Sequence, residues 1–302
     1  MRIAITGSSG LIGTALQERL ADDGHQVIPI VRGEARPGTI RWDPAAGQLD
    51  AAQLDGLDGV VHLAGEGIGD HRWSEAHKHR VIESRRAGTR LLSEALAATT
   101  RRPAVLVSGS AVGFYGDRGD EVLTERSSPG TGFLTEVCLA WEGATAAAEA
   151  AGIRVAHLRT GIVLDSRGGA LRKMALPFRF GLGGRLGSGK QWMSWIHLAD
   201  EVEAIRFLLT HDVSGPVNGT APTPVTNAVM SKALGRALHR PAVVPVPAFG
   251  PRLLLGRELA DNLLFTGQRV LPEVLVAAGY EFRHPELDEA LGSLLTRSPS
   301  AT

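Results

Sequence analysis

The chain has 302 residues, with 32 Lys and Arg against 32 Asp and Glu and a pI near 7.2. That balance excludes a global electrostatic attraction to nucleic acid or to an anionic membrane. A single cysteine, Cys138, excludes an intrachain disulfide and a multi-cysteine metal site and points to a reducing cytoplasm; no stretch resembles a signal segment or a membrane span.

The elements read off in chain order. Ile3 to Ile5 is an apolar run with the character of a buried strand, and it ends in TGSSGLIG, where Gly10 and Gly13 open an amphipathic helix. Each glycine has its own physical reason. Gly7 turns the chain off the strand, Gly10 lets backbone approach a pyrophosphate, and Gly13 lets the helix pack on the sheet. Free amides at the helix start, around Ser9, Leu11 and Ile12, favour anions. QVIPIV (26–31) is the second strand and ends in Arg32, where an NAD site commonly has an acid for the ribose 2′-hydroxyl. A cation there suits a 2′-phosphate, hence NADP(H), and Arg36 could share that role.

Further along, 39–42 is a short strand and GVVHL (59–63) a stronger one, running into Ala64, Gly65 and Glu66. Residues 75–98 form a long helix, 104–107 a strand followed by the small-residue loop SGSAVGFYG, 133–151 a helix and 154–158 a strand. Strands alternating with helices imply a Rossmann-type doubly wound parallel α/β sheet, with ligands beyond the C-terminal strand ends, where Leu63, Ser108, Ser110, Thr160, Gly161 and Ile162 fall. From Gly168 the texture changes to a Gly-rich loop with Arg185 and Lys190, a capped helix after Thr226, a proline-punctuated segment and short helices to the end. The expected division is a nucleotide-binding domain of residues 1–167, rejoined by 196–222, and a smaller C-terminal substrate lobe of residues 168–195 and 223–302.

These motifs carry a family resemblance. TGSSGLIG, VVHLAG, SGSAVGFYG, LRTGIVL and WIHLAD stand in the order of the extended short-chain dehydrogenases/reductases. GEGIGDHRW, ESRRAGTRLL, LPFRFGLGGRLGSGKQWMSWIH and GQRVLPEVLVAAGYEFRHPELDEAL are similar to an atypical branch: epimerase-family proteins with a C-terminal domain of unknown function, sometimes labelled cell division inhibitors. The resemblance spans essentially the whole chain. It implies a Rossmann domain, NADP(H), a small-molecule substrate bound by the C-terminal lobe, and allows a homodimer through helices flanking the sheet.

The resemblance also implies a catalytic Ser with a downstream YxxxK. Ser110 fits the serine, but Leu134 and Cys138 occupy the Tyr and Lys positions. Tyr115 is the remaining tyrosine near the loop and a candidate acid; its proton-donating role would be unusual for the family. Arg85 stands where relatives often carry Asn, so a cleft hydrogen bond beside the cofactor and a solvated helix cation are both open. Trp73, Trp192 and Trp195 are aromatic candidates for a substrate wall, Lys190 for an anion, and His197 either for substrate or for bonding the start of the next helix. No His, Asp or Glu grouping has metal-ligand spacing. The leading expectation is an NADP(H)-dependent oxidoreductase acting on a small carbonyl or alcohol; the alternatives are a nucleotide-sugar epimerase or dehydratase, and a non-catalytic NADP(H)-responsive binding protein.

Overall fold

The computed structural model describes residues 1–34 and 36–295. Its first part lays down β1 (Arg2–Thr6), α1 (Leu11–Asp22), β2 (Gln26–Val31), β3 (Ile40–Asp43), β4 (Gln48–Leu49), β5 (Gly59–His62), α2 (Glu75–Ala97) and β6 (Val105–Ala111). Then come β7 (Val122–Leu123), α3 (Phe133–Gly143), α4 (Ala146–Ala150), β8 (Arg154–Thr160), β9 (Ile162–Leu164) and α5 (Gly169–Arg179). β10 (Trp192–Met193) and β11 (Trp195–His197) lead into α6 (Leu198–Thr210), β12 (Gly215–Gly219), β13 (Val225–Thr226) and α7 (Asn227–Ala237). The chain closes with α8 (Phe249–Leu255), α9 (Arg257–Ala260), β14 (Arg269–Val270), α10 (Glu273–Ala277) and α11 (Leu287–Leu295).

Eight strands make one sheet in the order β12-β8-β6-β5-β1-β2-β3-β4, parallel except for the β3–β4 pair. Parallel strands need both faces covered, and alternation along the strands supplies two apolar faces. Ile3 and Ile5 pack with Leu16 and Leu20 of α1 and Leu208 of α6. Ala4, Ile30 and Val60 pack with Leu92 and Leu96 of α2 on the other side. The chain order reverses between β1 and β5, so a crevice opens beyond their C-terminal ends.

A separate core forms where α5, α7 and α11 close around Trp195, with Leu171, Phe178, Leu234 and Leu291. Two buried carboxylates fasten this lobe to the sheet. Glu125 accepts the Asn218 and Val274 amides at 3.0 and 3.3 Å, and Asp200 accepts the Arg283 and His284 amides at 2.7 and 2.9 Å.

The expected single helix over 133–151 is two helices. The Thr145 hydroxyl donates back to the Glu142 carbonyl at 2.7 Å, and Ser93 of α2 donates to the Thr145 carbonyl while accepting the Ala148 amide. Such an inserted side chain is a recognised cause of a helix break. The proline-punctuated segment before α8 carries no helix, as its residues imply. Among the described residues no helix is long and apolar enough to cross a membrane.

Candidate functional site

The glycine loop is built as its residues require. Gly7 sits at φ +67°, and a Cβ there would lie 2.8 Å from the Leu63 carbonyl carbon. Its carbonyl accepts the Gly10 amide at 3.0 Å, closing the turn. A Cβ on Gly13 would meet that same Gly7 oxygen at 2.3 Å, whereas one on Gly10 would meet it at 3.3 Å. Gly13 is therefore a packing glycine and Gly10 a surface one. The Ser8 carbonyl accepts hydrogen bonds from Gln17 and Thr14, pinning the loop to α1. Among the described residues no side chain caps α1, which leaves its first amides for an anion.

The loop after β5 is held from behind. Thr6 Oγ1 accepts the Leu63 and Ala64 amides at 3.1 and 3.2 Å. Its proton is then left for His62 Nδ1 at 2.7 Å, which assigns the His62 proton to Nε2, donating to Thr89 Oγ1 at 2.8 Å. Burial pushes the His62 pKa down to about 3, with the Arg85 charge adding to the effect. The imidazole is a neutral tie between β1, β5 and α2. Arg85 donates to the Glu66 and Val81 carbonyls at 2.9 and 3.2 Å and stacks over Trp141 at 4.7 Å. Its Nε has no hydrogen-bond partner among the described residues, and burial lowers its pKa to about 10. Gly65 lies against this guanidinium, where a Cβ would sit 2.9 Å from Cζ. Arg85 thus supports the cofactor-side loop from below. Arg32 is exposed at the end of β2.

A cavity of about 680 Å³ runs from this loop into the C-terminal lobe. Gly10, Leu11, Leu63, Thr160, Gly161 and Ile162 line its cofactor end. Leu134, Val137, Cys138 and Trp141 of α3 form one wall, and α5, β10 and residues 262–268 the far end. The lining is mostly apolar. Among the described lining residues Lys173 is the one charged side chain, beside the polar Gln191, Ser194, Asn227, Asn262 and Gln268. Cys138 donates to the Ala111 carbonyl at 3.4 Å; burial, reinforced by Glu142, pushes its pKa up to about 11, so it stays a thiol.

The sequence candidates divide. Ser110 and Tyr115 do not line this cavity; both belong to a buried polar chain beside it. Ser110 donates to Glu142 at 2.7 Å. Arg159 grips Glu142 through two bonds of 2.8 Å, donates to the Tyr115 hydroxyl at 3.1 Å and lies 3.4 Å over the Phe114 ring. Tyr115 in turn donates to Asn218 Oδ1 at 2.7 Å. Ser108 is fully buried inside β6. His197 caps α6 by accepting the Ala199 amide at 3.0 Å and stacks on His284; burial pushes its pKa down to about 4, with His284 contributing. Trp195 is a core residue bonded to the Thr223 carbonyl. Trp73 packs on Phe133 and donates to the Ile68 carbonyl, and Lys190 is exposed off the wall. Trp192 does reach the cavity.

Thr160 donates to Glu201 at 2.6 Å. Glu201 is fully buried, and its Oε2 has no hydrogen-bond partner among the described residues; burial raises its pKa to about 7. The sequence reading missed Glu201, Lys173 and the Glu142–Arg159 pair. Arg159, lying inside LRTGIVL, gave no separate signal.

Strand order, glycine loop and crevice together define the dinucleotide-binding Rossmann class of fold. The chain belongs to the NAD dependent epimerase/dehydratase family, which it matches over residues 3–221; residues 246–294 match a domain of unknown function, DUF1731. Epimerase family protein Mb2239 of Mycobacterium bovis is 46% identical over 98% of both chains. Human epimerase family protein SDR39U1 is 38% identical over 98% of this chain and 100% of its own. The crystal structure of human SDR39U1 (isoform 2) with NADPH superposes with a TM-score of 0.88 at 34% identity, covering 98% of this chain and 99% of that one. A nucleoside-diphosphate sugar epimerase from Corynebacterium glutamicum gives 0.81 at 41% identity, covering 98% of this chain and 58% of that one. At 16% identity and 0.76, UDP-N-acetylglucosamine 4-epimerase from Bacillus cereus shares the fold alone.

Proposed function

We propose that the chain binds NADP(H) across the crevice and moves hydride between its nicotinamide and a small carbonyl or alcohol compound with an apolar body. The observation that carries this reading is the continuous cavity joining the uncapped start of α1 to the C-terminal lobe. The residues present fit the cofactor: Gly7, Ser9, Gly10, Leu11, Ile12 and Gly13 would hold the diphosphate, Arg32 the 2′-phosphate, and Leu63 to Glu66 with Thr160 to Ile162 the remainder. NADPH in the structure of human SDR39U1 supports this choice of cofactor. When bound, the nicotinamide supplies the hydride chemistry. Leu134, Val137 and Trp141 keep water from the reacting end, and Lys173 offers an anionic group its one charged contact on the described wall. In this reading residues 1–167 with 196–222 hold the cofactor, and residues 168–195 with 223–302 hold the substrate. A sugar diphosphate would need more donors and cations than this apolar lining offers.

A second reading, a non-catalytic NADP(H)-responsive protein, is favoured by one specific observation. Leu134 and Cys138 face the cavity at the positions of the expected acid and its lysine, while the Ser110 hydroxyl is engaged with Glu142. Single-turnover transfer from stereospecifically deuterated NADPH to a panel of apolar aldehydes, ketones and nucleotide sugars separates the readings. Deuterium in a carbonyl-derived product supports the first. Tight NADPH binding without transfer supports the second, and absence of NADPH binding overturns both.

A further inference from the structure

We propose that the outward face of the C-terminal lobe docks on an anionic lipid surface. Overall neutrality conceals a strong asymmetry: residues 166–199 and 213–257 contain eleven Lys or Arg and no Asp or Glu. Four of the eleven are neutralised by neighbours, Arg167 by Asp165, Arg236 by Asp288, and Arg252 and Arg257 by Asp261. The other seven, including Arg172, Arg179, Arg185, Lys232 and Arg240, have no carboxylate partner among the described residues and are exposed.

The same two segments carry large apolar side chains standing in solvent. Phe180, Val243, Phe249, Leu253 and Leu254 are each 73 to 78% exposed. The segments are stitched together by backbone bonds, Val244 amide to Gly183 carbonyl at 3.2 Å and Val246 amide to Arg185 carbonyl at 2.9 Å. Arg72 holds α8 in place through the Leu253 and Leu254 carbonyls. The pattern is clearest on α5, where Leu171, Ala175 and Phe178 face the core while Arg172, Leu176, Arg179 and the following Phe180 share the outer face. Cations alternating with exposed apolar groups on one face suit an interface of anionic headgroups over acyl chains. Nucleic acid would use the cations but leave the phenylalanines and leucines in water, and a neutral apolar partner would use the reverse. The patch borders the cavity, since Lys173 and Met174 on α5 line it; an apolar ligand drawn from the membrane would have a short path inward.

The test is flotation of the full-length chain with vesicles of phosphatidylcholine, alone or with ~30% phosphatidylglycerol, at ~0.1 M salt. Binding is expected to the anionic vesicles and not to the neutral ones. Arg172→Glu with Arg179→Glu, and separately Phe249→Ser with Leu253→Ser, should each lower partitioning roughly tenfold or more, with NADPH affinity and thermal midpoint retained as proof of folding. No binding to anionic vesicles, equal binding to neutral ones, or binding untouched by both pairs overturns the proposal. Self-association that either pair abolishes, in a chain that ignores vesicles, assigns the face to a second copy and overturns it equally.

Discussion

Gly10, the N-cap of α1, and Gly13, in its first turn, lie three residues apart, and the structure gives them opposite fates on gaining a methyl group. In Gly13→Ala the new Cβ would stand 2.3 Å from the Gly7 oxygen and 2.8 Å from the Ser8 Cα, backbone on both counts. No side-chain rotation relieves such contacts, so α1 must move away by ~1 Å. Overpacking of this kind costs ~1–3 kcal/mol, which for a chain of this size lowers the thermal midpoint by roughly 2–6 °C. In Gly10→Ala the Cβ meets the Gly7 oxygen at 3.3 Å, and the residue's φ of −77° suits any L-residue. Stability should change by less than ~1 kcal/mol. The methyl would occupy the space through which a phosphate reaches the first amides of α1. Losing one charge-assisted hydrogen bond weakens binding by ~1.5–3 kcal/mol, or roughly 10- to 150-fold in the dissociation constant. Thermal scans and NADPH titration calorimetry on both variants measure the pair. Undiminished NADPH affinity in a folded Gly10→Ala protein would refute placement of the diphosphate on this loop, whatever happens to Gly13→Ala.

Arg32→Ala removes an exposed side chain, so stability should hold while NADPH affinity falls ~10-fold or more and NADH affinity barely moves; equal losses for both cofactors refute the 2′-phosphate assignment. Tyr115→Phe strips a partner from Arg159 and from Asn218 in a buried chain, a loss of ~1–3 kcal/mol in stability with NADPH affinity intact; an unshifted denaturation midpoint would remove Tyr115 from the structural frame. Glu201 gives a signed pH dependence. Its folded pKa of about 7 lies above the ordinary 4.5, so the folded state holds the proton more tightly. The stability this contributes is complete at low pH and falls away as pH rises from ~4.5 to ~7, by at most roughly 3 kcal/mol. Glu201→Gln should flatten that slope in urea titrations at pH 5, 6, 7 and 8, and an unchanged slope assigns it to another group. Lys173→Met should weaken an anionic substrate or product far more than NADPH; a loss confined to NADPH would move Lys173 to the cofactor.

What the sequence disclosed and what it withheld follow from the range of the interactions involved. The glycine loop, the strands flanking it and the helix now at Glu75–Ala97 are local patterns, and they were legible because spacing alone encodes them. Strands of two residues leave no such pattern: β7 and β14 pair Val122 with Arg269, nearly half the chain length apart. The polar chain through Ser110 suffers the same blindness. Its members, Glu142, Arg159, Tyr115, Asn218 and Glu125, come from five separate elements and loops, so no window of sequence contains two bonded partners with their geometry. His197 shows the intermediate case, since a histidine just before a helix can cap it or face a cleft, and the tertiary stack on His284 accompanies the capping role. The charge asymmetry of the C-terminal lobe was present in the letters but vanished in the whole-chain average. Charge informs about partners only when it is summed over the surface that meets them, and that surface was defined once the fold had brought residues 166–199 against residues 213–257.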